Sequence, residues 1–270
     1  MTLAIAWVRQ VADCQELLVA SDSRLRGGYA WDCCPKITTL PRSDSVACFA
    51  GSTYEAYPLL LQMREAIGMH QKSRDRAMDI ADMKGHTIRV FNQMREYIRD
   101  LPAGAPAPEP PEVVFLLAGY SWKRKRFHIW WILFDKHERR FTFRSPRKWH
   151  GVDGLKVIGF AGDYIREAKA RLRAILRERD KLKAGGFDME PFEVLRDMLR
   201  TPDHPLIGGP IQVAKVYEHM NCLPFGVYWP NRQHGGVTVL GRPLMEYEAV
   251  HLPILDPDTL ESHNMFQRVG

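Results

Sequence analysis

The sequence predicts an α+β protein in which pairs of helices cover the outer faces of two β-sheets. Apolar and β-branched runs of strand length dominate residues 2–50, and two stretches with helical spacing then follow one another directly. The same order, strands and then two helices, recurs over residues 113–200, ahead of further strand-like segments. Helices in consecutive pairs do not fit a repeated β-α-β unit, in which single helices alternate with strands.

The amino-terminal fifty residues have the pattern of paired strands. Apolar runs at 2–8 and 16–21 are separated by a polar connection, and a further strand at 45–49 runs into Gly51. At Ser52 the pattern changes to Ser-Thr-Tyr-Glu, which predicts a capping box, in which the serine hydroxyl and the glutamate bind free backbone N–H groups. A helix is therefore expected from Ser52 to about residue 68.

The remaining elements follow from the same two periodicities. A second helix is predicted over 76–99, and the prolines of 101–112 end it as an extended loop. The segment 223–270 is rich in proline, and we expect it to be a largely irregular extension packed on the domain formed by residues 1–222. The other predicted elements are strands at 113–120, 127–134, 140–144, 156–160, 211–217 and 237–240, a long basic helix after Gly162-Asp163, and a shorter helix at 190–200.

Composition narrows the class of protein. The 270 residues include no uncharged apolar run of about 18 residues that would span a bilayer. The start also lacks the features of an export signal, so a cytoplasmic location without membrane attachment is expected. Five cysteines without a CxxC pair predict neither a disulfide framework nor a zinc site, and we expect no metal and no cofactor.

The formal net charge is +6, and basic residues cluster at 123–126 and 166–183. The second cluster has apolar residues at helical spacing, which favours a solvated helix face. Because no groove-reading motif accompanies the charge, nucleic-acid binding is not expected.

Thr2 is the residue with the most direct chemical meaning. A threonine hydroxyl needs a base within hydrogen-bond reach, and a free α-amino group, with a reference pKa of about 7.7–8.0, serves as that base on the same residue. This requires removal of Met1, which a small second residue permits. Since Met-Thr starts are common, the interpretation depends on what accompanies Thr2.

Four short segments accompany it in order: Thr2-Leu-Ala-Ile-Ala, Leu18-Val-Ala-Ser-Asp-Ser-Arg, Lys36-Ile, and Phe49-Ala-Gly-Ser. With these the chain resembles the proteasome β-subunit and bacterial HslV-like branch of the N-terminal nucleophile (Ntn) hydrolases. Later segments agree over about residues 2–220: Phe115-Leu-Leu-Ala-Gly-Tyr, the glycine-rich stretch Val157 to Tyr164, and the closing strand Gly208-Gly-Pro-Ile-Gln-Val-Ala.

The resemblance implies a four-layer αββα sandwich and a role for each matched position. Thr2 would supply the nucleophile and the base. Lys36 would lie beside it and lower the pKa of its amine, held in place by Asp22. Gly51 would offer its N–H to the oxyanion, which also suits its place before a helix N-terminus. Positions implied for the primary specificity pocket are Leu25, Cys34, Thr38, Phe49 and Thr53.

Phe49 would partly fill that pocket, which predicts a preference for small or medium apolar side chains; alternatively, Phe49 is a core residue that faces away. Two departures from the family pattern are visible. Aligning on Gly159 puts Phe160 where the family carries a serine beside the nucleophile. The family's Arg-Asp before the closing Gly-Gly is missing, and Asp203 is the one nearby carboxylate able to substitute.

The first hypothesis is a threonine peptidase that forms an acyl-enzyme on Thr2. The resemblance implies a ring or stacked-ring homo-oligomer that admits peptides and unfolded proteins, with an ATP-driven unfoldase as an open possibility. The second hypothesis is a non-catalytic scaffold subunit with the same fold. A third keeps the mechanism but changes the substrate to a small amide.

Overall fold

A computed structural model describes residues 2–101, 107–146, 157–183 and 186–264, and the chain is a mixed α+β protein. The helix predicted from Ser52 to about residue 68 spans Thr53–Met69, and the helix predicted at 190–200 has those bounds. The helix predicted over 76–99 is four residues shorter at each end, at Ile80–Arg95. The helices are α1 (Thr53–Met69), α2 (Gln71–Arg74), α3 (Ile80–Arg95), α4 (Ile165–Glu178) and α5 (Glu190–Arg200).

The strands form two large sheets and one small two-stranded ribbon. They are β1 (Leu3–Val11), β2 (Cys14–Ser21), β3 (Leu25–Arg26), β4 (Ala30–Trp31), β5 (Ile37–Thr39), β6 (Ser45–Gly51), β7 (Val113–Ser121), β8 (Arg126–Asp135), β9 (Arg140–Arg144), β10 (Ile158–Gly162), β11 (Gln212–Tyr217), β12 (Cys222–Trp229), β13 (Gly236–Val239), β14 (Arg242–Pro243), β15 (Pro253–Leu255) and β16 (Ser262–Asn264).

The first sheet, which includes both ends of the described chain, has the order β10-β1-β2-β11-β12-β13-β14, with β15 beside β12 and β16 beside β15. Within it β1 lies between β2 and β10, and both pairings are antiparallel. The second sheet has the order β5-β6-β7-β8-β9, and each neighbouring pair is antiparallel. The strands β3 and β4 form the ribbon.

Three clusters of buried apolar side chains explain how the sheets and helices pack. One cluster joins inward residues of both sheets, among them Ala6 and Val19 of the first sheet and Leu116 of the second. A second cluster lies between the first sheet and helices α4 and α5. The third lies between the second sheet and helices α1 and α3. Each large sheet therefore buries apolar side chains on both of its faces, which accounts for the long apolar runs in β1, β6 and β7.

The predicted capping box at Ser52 is wrong. Ser52 does precede α1, but its side chain makes no capping hydrogen bond. The Glu55 carboxylate instead accepts the N–H of Glu112 at 2.8 Å, while the Ser52 N–H donates to the Glu112 carbonyl at 2.8 Å. The residues of the expected capping box thus bind the chain where it enters β7.

The segment after residue 222 is not largely irregular, since β12 to β16 continue the first sheet through it. Pro224 made β12 hard to predict, because proline cannot donate to a sheet. It is tolerated because residues 222–225 of β12 pair with β11 alone, whereas β13 and β15 pair with the strand from Gly226 onward. None of the helices among the described residues is both long and apolar enough to cross a membrane.

Candidate active site

Thr2 directly precedes β1 and is fully buried. Its backbone N–H donates to the Asp163 carboxylate at 2.9 Å, and its carbonyl accepts the Asp163 N–H at 2.6 Å. Both backbone groups of the second residue are thus held by one residue that lies between β10 and α4. Met1, whose removal the hydrolase hypothesis requires, lies outside the described residues.

Gly162 makes this close approach possible. Its φ of +103° belongs to the region that favours glycine, and a Cβ at this position would collide with the Thr2 carbonyl. The same Cβ would lie 3.3 Å from the Cβ of Ala50. The carboxyl end of β6 therefore reaches the neighbourhood of Thr2, although β6 belongs to the other sheet.

Asp22 and Lys36 form a completely buried ion pair next to this point. The Lys36 Nζ donates to both Asp22 carboxylate oxygens at 2.9 Å, and neither side chain is exposed. Asp22 follows the end of β2 in the first sheet, whereas Lys36 precedes β5 in the second. The pair therefore joins the two sheets at the end where β1 begins.

The Asp22 carboxylate also collects backbone donors from three separate parts of the chain. It accepts N–H groups of Leu3 at 3.0 Å, Arg24 at 3.1 Å and Gly208 at 3.2 Å. Burial raises the pKa of the Asp22 carboxyl, and the Lys36 ammonium together with the Leu3 and Gly208 donors acts against that shift. Because Leu3 is one of these donors, the backbone from Thr2 to Leu3 is held by two carboxylates, Asp163 and Asp22.

Gln212 in β11 fixes the segment that carries Lys36. Its side-chain oxygen accepts the N–H groups of Lys36 at 3.0 Å and Ile37 at 3.2 Å. Its side-chain nitrogen donates to the carbonyls of Cys34 at 2.7 Å and Asp22 at 3.3 Å. The buried amide of Gln212 thus bonds to the backbone of both Asp22 and Lys36, which fixes the backbone position of Lys36.

Gly51 ends β6 and lies two residues before the first residue of α1. Its φ is +116°, and a Cβ there would collide with the Glu112 carbonyl, so the backbone at this place requires glycine. Since Ala50 approaches Gly162, the loop from β6 to α1 begins beside Thr2. A helix N-terminus at this place favours negative charge.

The five predicted pocket residues differ in exposure. Phe49 is fully buried in the cluster between the second sheet and α1 and α3, and its ring meets Tyr57 edge-on at 5.3 Å. Tyr57 in turn donates to the carbonyl of Pro35, next to Cys34, at 3.3 Å. Cys34 is buried, while the other three predicted pocket residues are half-buried: Leu25, Thr38 and Thr53.

Phe160, which the alignment on Gly159 put beside Thr2, lies three residues before the residue that contacts Thr2. Phe160 pairs with Ile5 in the β1–β10 register, and its carbonyl accepts the Trp131 indole N–H at 2.9 Å. The same register places Gly162 opposite Leu3, so that Asp163 is the residue that reaches Thr2. The signal available in the sequence was the Gly-Asp pair that ends this strand.

Asp203 does not take the place of the missing Arg-Asp motif. Its side chain is exposed, whereas the neighbouring His204 is buried and lies 2.9 Å from the Glu167 carboxylate of α4. The carboxylate that reaches Thr2 is Asp163, from a different segment. Sequence reasoning also missed Gln212, although it lies within the closing strand quoted for the resemblance.

Competing chemistry finds less support in the geometry. Burial raises the pKa of Cys48 and of Cys222 to about 12, so these thiols stay protonated near neutral pH. Within the part of the chain that the structure describes, no three His, Cys, Asp or Glu side chains are grouped to hold a metal ion.

The arrangement can act as a proton-transfer site. It brings the Thr2 backbone, a buried ammonium and two carboxylates together where the two sheets meet. Compared with models of protein families, the chain matches none, and a comparison with curated proteins gives no match either.

Proposed function

We propose that this chain is an N-terminal nucleophile hydrolase that cleaves peptide bonds through an acyl-enzyme on Thr2, after Met1 has been removed. The observation that carries the proposal is the convergence of Thr2, Asp163, Asp22 and Lys36 at one place, from four distant parts of the sequence. The Leu3 N–H joins the Lys36–Asp22 pair to the backbone next to Thr2, so the charge of the pair lies near the proposed amine.

In the proposed reaction the Thr2 hydroxyl attacks the carbonyl carbon of the substrate, and the Thr2 amine accepts the hydroxyl proton. The Lys36 ammonium favours the neutral amine by charge repulsion. Asp22 keeps the lysine in place through its two 2.9 Å contacts.

The negative charge that develops on the substrate oxygen needs a donor that is already in position. Gly51 is the candidate, because it combines a glycine-only backbone with a position just before α1 and next to Ala50, which approaches Gly162 beside Thr2. The protonated amine then gives its proton to the leaving nitrogen, and the C–N bond breaks. Water adds to the resulting ester with the amine again as base, which releases the acid and regenerates the Thr2 hydroxyl.

The packing described above is compatible with an αββα sandwich, with helices α1 and α3 outside one sheet and α4 and α5 outside the other. We extend the proposal to a ring-shaped homo-oligomer that acts on peptides and unfolded chains, as the resemblance implies. The buried ring of Phe49, packed edge-on against Tyr57, would then leave room only for small or medium apolar side chains.

The test combines intact-mass measurement with an electrophile that reacts with N-terminal threonines. We expect the purified protein to begin at Thr2 and to gain one reagent mass, with loss of peptidase activity. Thr2→Ala should abolish labelling and activity, whereas Thr142→Ala, at a half-buried threonine in β9, should leave both unchanged. A retained Met1, or equal labelling of the Thr2→Ala variant, would overturn the proposal and favour the scaffold hypothesis.

A further inference from the structure

Asp163 stands where the resembling family is expected to carry a serine, and the difference adds a negative charge beside Thr2. Its carboxylate accepts the Thr2 N–H at 2.9 Å, and its own N–H binds the Thr2 carbonyl. The carboxylate is half-buried, which weakens the screening of its charge by water.

The basic groups near the Asp163 carboxylate decide which cation balances its charge. Lys36 is committed to Asp22 through both carboxylate oxygens. Among the residues that the structure describes, no lysine or arginine forms an ion pair with Asp163. Removal of Met1 would turn the Thr2 N–H into an ammonium group at hydrogen-bond distance from this carboxylate, and the two carboxylates would then face two cations.

We propose that Asp163 is the counter-ion of the freed Thr2 amino group and that it sets the pH range in which this amine acts as the base. The inference rests on the proposed function. Asp163 is a positioning residue, because it acts through Thr2 rather than on the substrate.

The direction of the effect follows from charge alone. A carboxylate at this distance stabilises the protonated amine and so raises the pKa of the amine, whereas Lys36 lowers it. Only the neutral amine can accept the hydroxyl proton, so the wild-type protein needs a higher pH than a protein with an uncharged residue at position 163. The amine loses its proton only when the pH exceeds its pKa, which the Asp163 carboxylate raises.

The experiment compares wild type with Asp163→Asn in two measurements. The first follows kcat/KM for a fluorogenic peptide against pH. The second follows the reaction of the terminal amine with trace acetic anhydride against pH, read by mass spectrometry of the N-terminal peptide. We expect the midpoint of both curves to fall by about one pH unit or more in the variant.

Two further variants make the result specific. Glu167→Gln removes one negative charge from the first turn of the same helix, where Glu167 contacts His204 rather than Thr2, and should leave both midpoints in place. Asp163→Glu keeps the charge, and the midpoints of its two pH curves should stay close to those of wild type. This variant tests the proposal even if Asp163→Asn folds poorly.

The outcomes separate the two proposals. If Met1 is absent and Thr2 is labelled, but the amine midpoint of Asp163→Asn coincides with that of wild type, the inference fails and the hydrolase remains. If Met1 is retained, both fail, since Asp163 then holds only an amide. A midpoint shift that appears equally in Glu167→Gln would also overturn the inference.

Discussion

The two ends of the β5–β6 hairpin each bury an ion pair, yet the two pairs differ in what else they bind. At the open end Lys36 meets Asp22, and near the turn Arg42 meets Asp44; none of the four side chains is exposed. Burial and pairing are therefore alike, and they alone do not distinguish a proposed site from a structural contact.

The difference lies in the remaining hydrogen bonds. The Arg42 guanidinium donates to Asp44 twice at 2.6 Å and uses further N–H groups on the carbonyls of Ser73 and Met78. The planar guanidinium thus directs its N–H groups to Asp44 and to the backbone of Ser73 and Met78. At the open end the Asp22 carboxylate accepts the Leu3 N–H. The Lys36 charge therefore lies near Thr2, the residue with the proposed chemical role. A buried ion pair indicates function only when its surroundings include something for it to act on.

The largest expected effect comes from the open end. Lys36→Met should lower kcat/KM by about 10²–10⁴-fold, since it removes the charge that keeps the Thr2 amine neutral. It should also destabilise the protein, because Asp22 stays buried without its cation. Activity is to be measured on material shown to be folded by circular dichroism. If the folded variant keeps a kcat/KM within tenfold of wild type, the catalytic assignment of Lys36 is wrong.

At the turn end the same type of change should act on stability alone. Arg42→Met leaves Asp44 without its partner, and we expect the free energy of unfolding to fall by about 3–5 kcal/mol in urea denaturation. The kcat/KM of the folded variant should stay within about twofold of wild type, since the contacts described for Arg42 involve other residues than those described for Lys36. A loss of activity as large as that of Lys36→Met would erase the contrast between the two ends.

The smallest expected effect is a pH dependence that also belongs to the turn end. His128 pairs with Gly119, which in turn pairs with Ser45. Burial, together with Arg126 and Arg124, lowers the pKa of His128 to about 4. The folded protein thus favours the neutral ring, and this contribution to stability is present above pH ~6.5 and is lost as the pH falls toward 4.

We expect a loss of about 1 kcal/mol across that range, which allows for solvent screening of the half-exposed ring. The free energy of unfolding at several pH values measures it, with His128→Asn as the control that should lack this component. An unchanged pH dependence in the control would show that other groups are responsible.

The elements that sequence predicted best are those decided by local pattern. Helix α5 has its predicted bounds because Pro191 suits a first turn and its apolar residues repeat at helical spacing. Strand β9 also begins and ends where the charged and aromatic alternation does. These signals lie within a single segment, so no knowledge of partners was needed.

What sequence could not supply depended on pairing across long separations. Which of the glycines at 159 and 162 approaches Thr2 is decided by the β1–β10 register, and the choice moves the neighbour of Thr2 from Phe160 to Asp163. The partners of Gln212 are likewise set by the meeting of two sheets. The capping box was wrongly predicted for the same reason, because the Glu55 carboxylate accepts the N–H of Glu112, which is distant in sequence.

The Gly208 N–H that closes around Asp22 has a consequence for biosynthesis. Translation delivers Thr2 first, but Asp163 and Gly208 leave the ribosome only after most of the chain has been made. Thr2, the proposed nucleophile, therefore has no organised surroundings until late in synthesis. Under the proposed function, this delay would keep neighbouring nascent chains from premature cleavage.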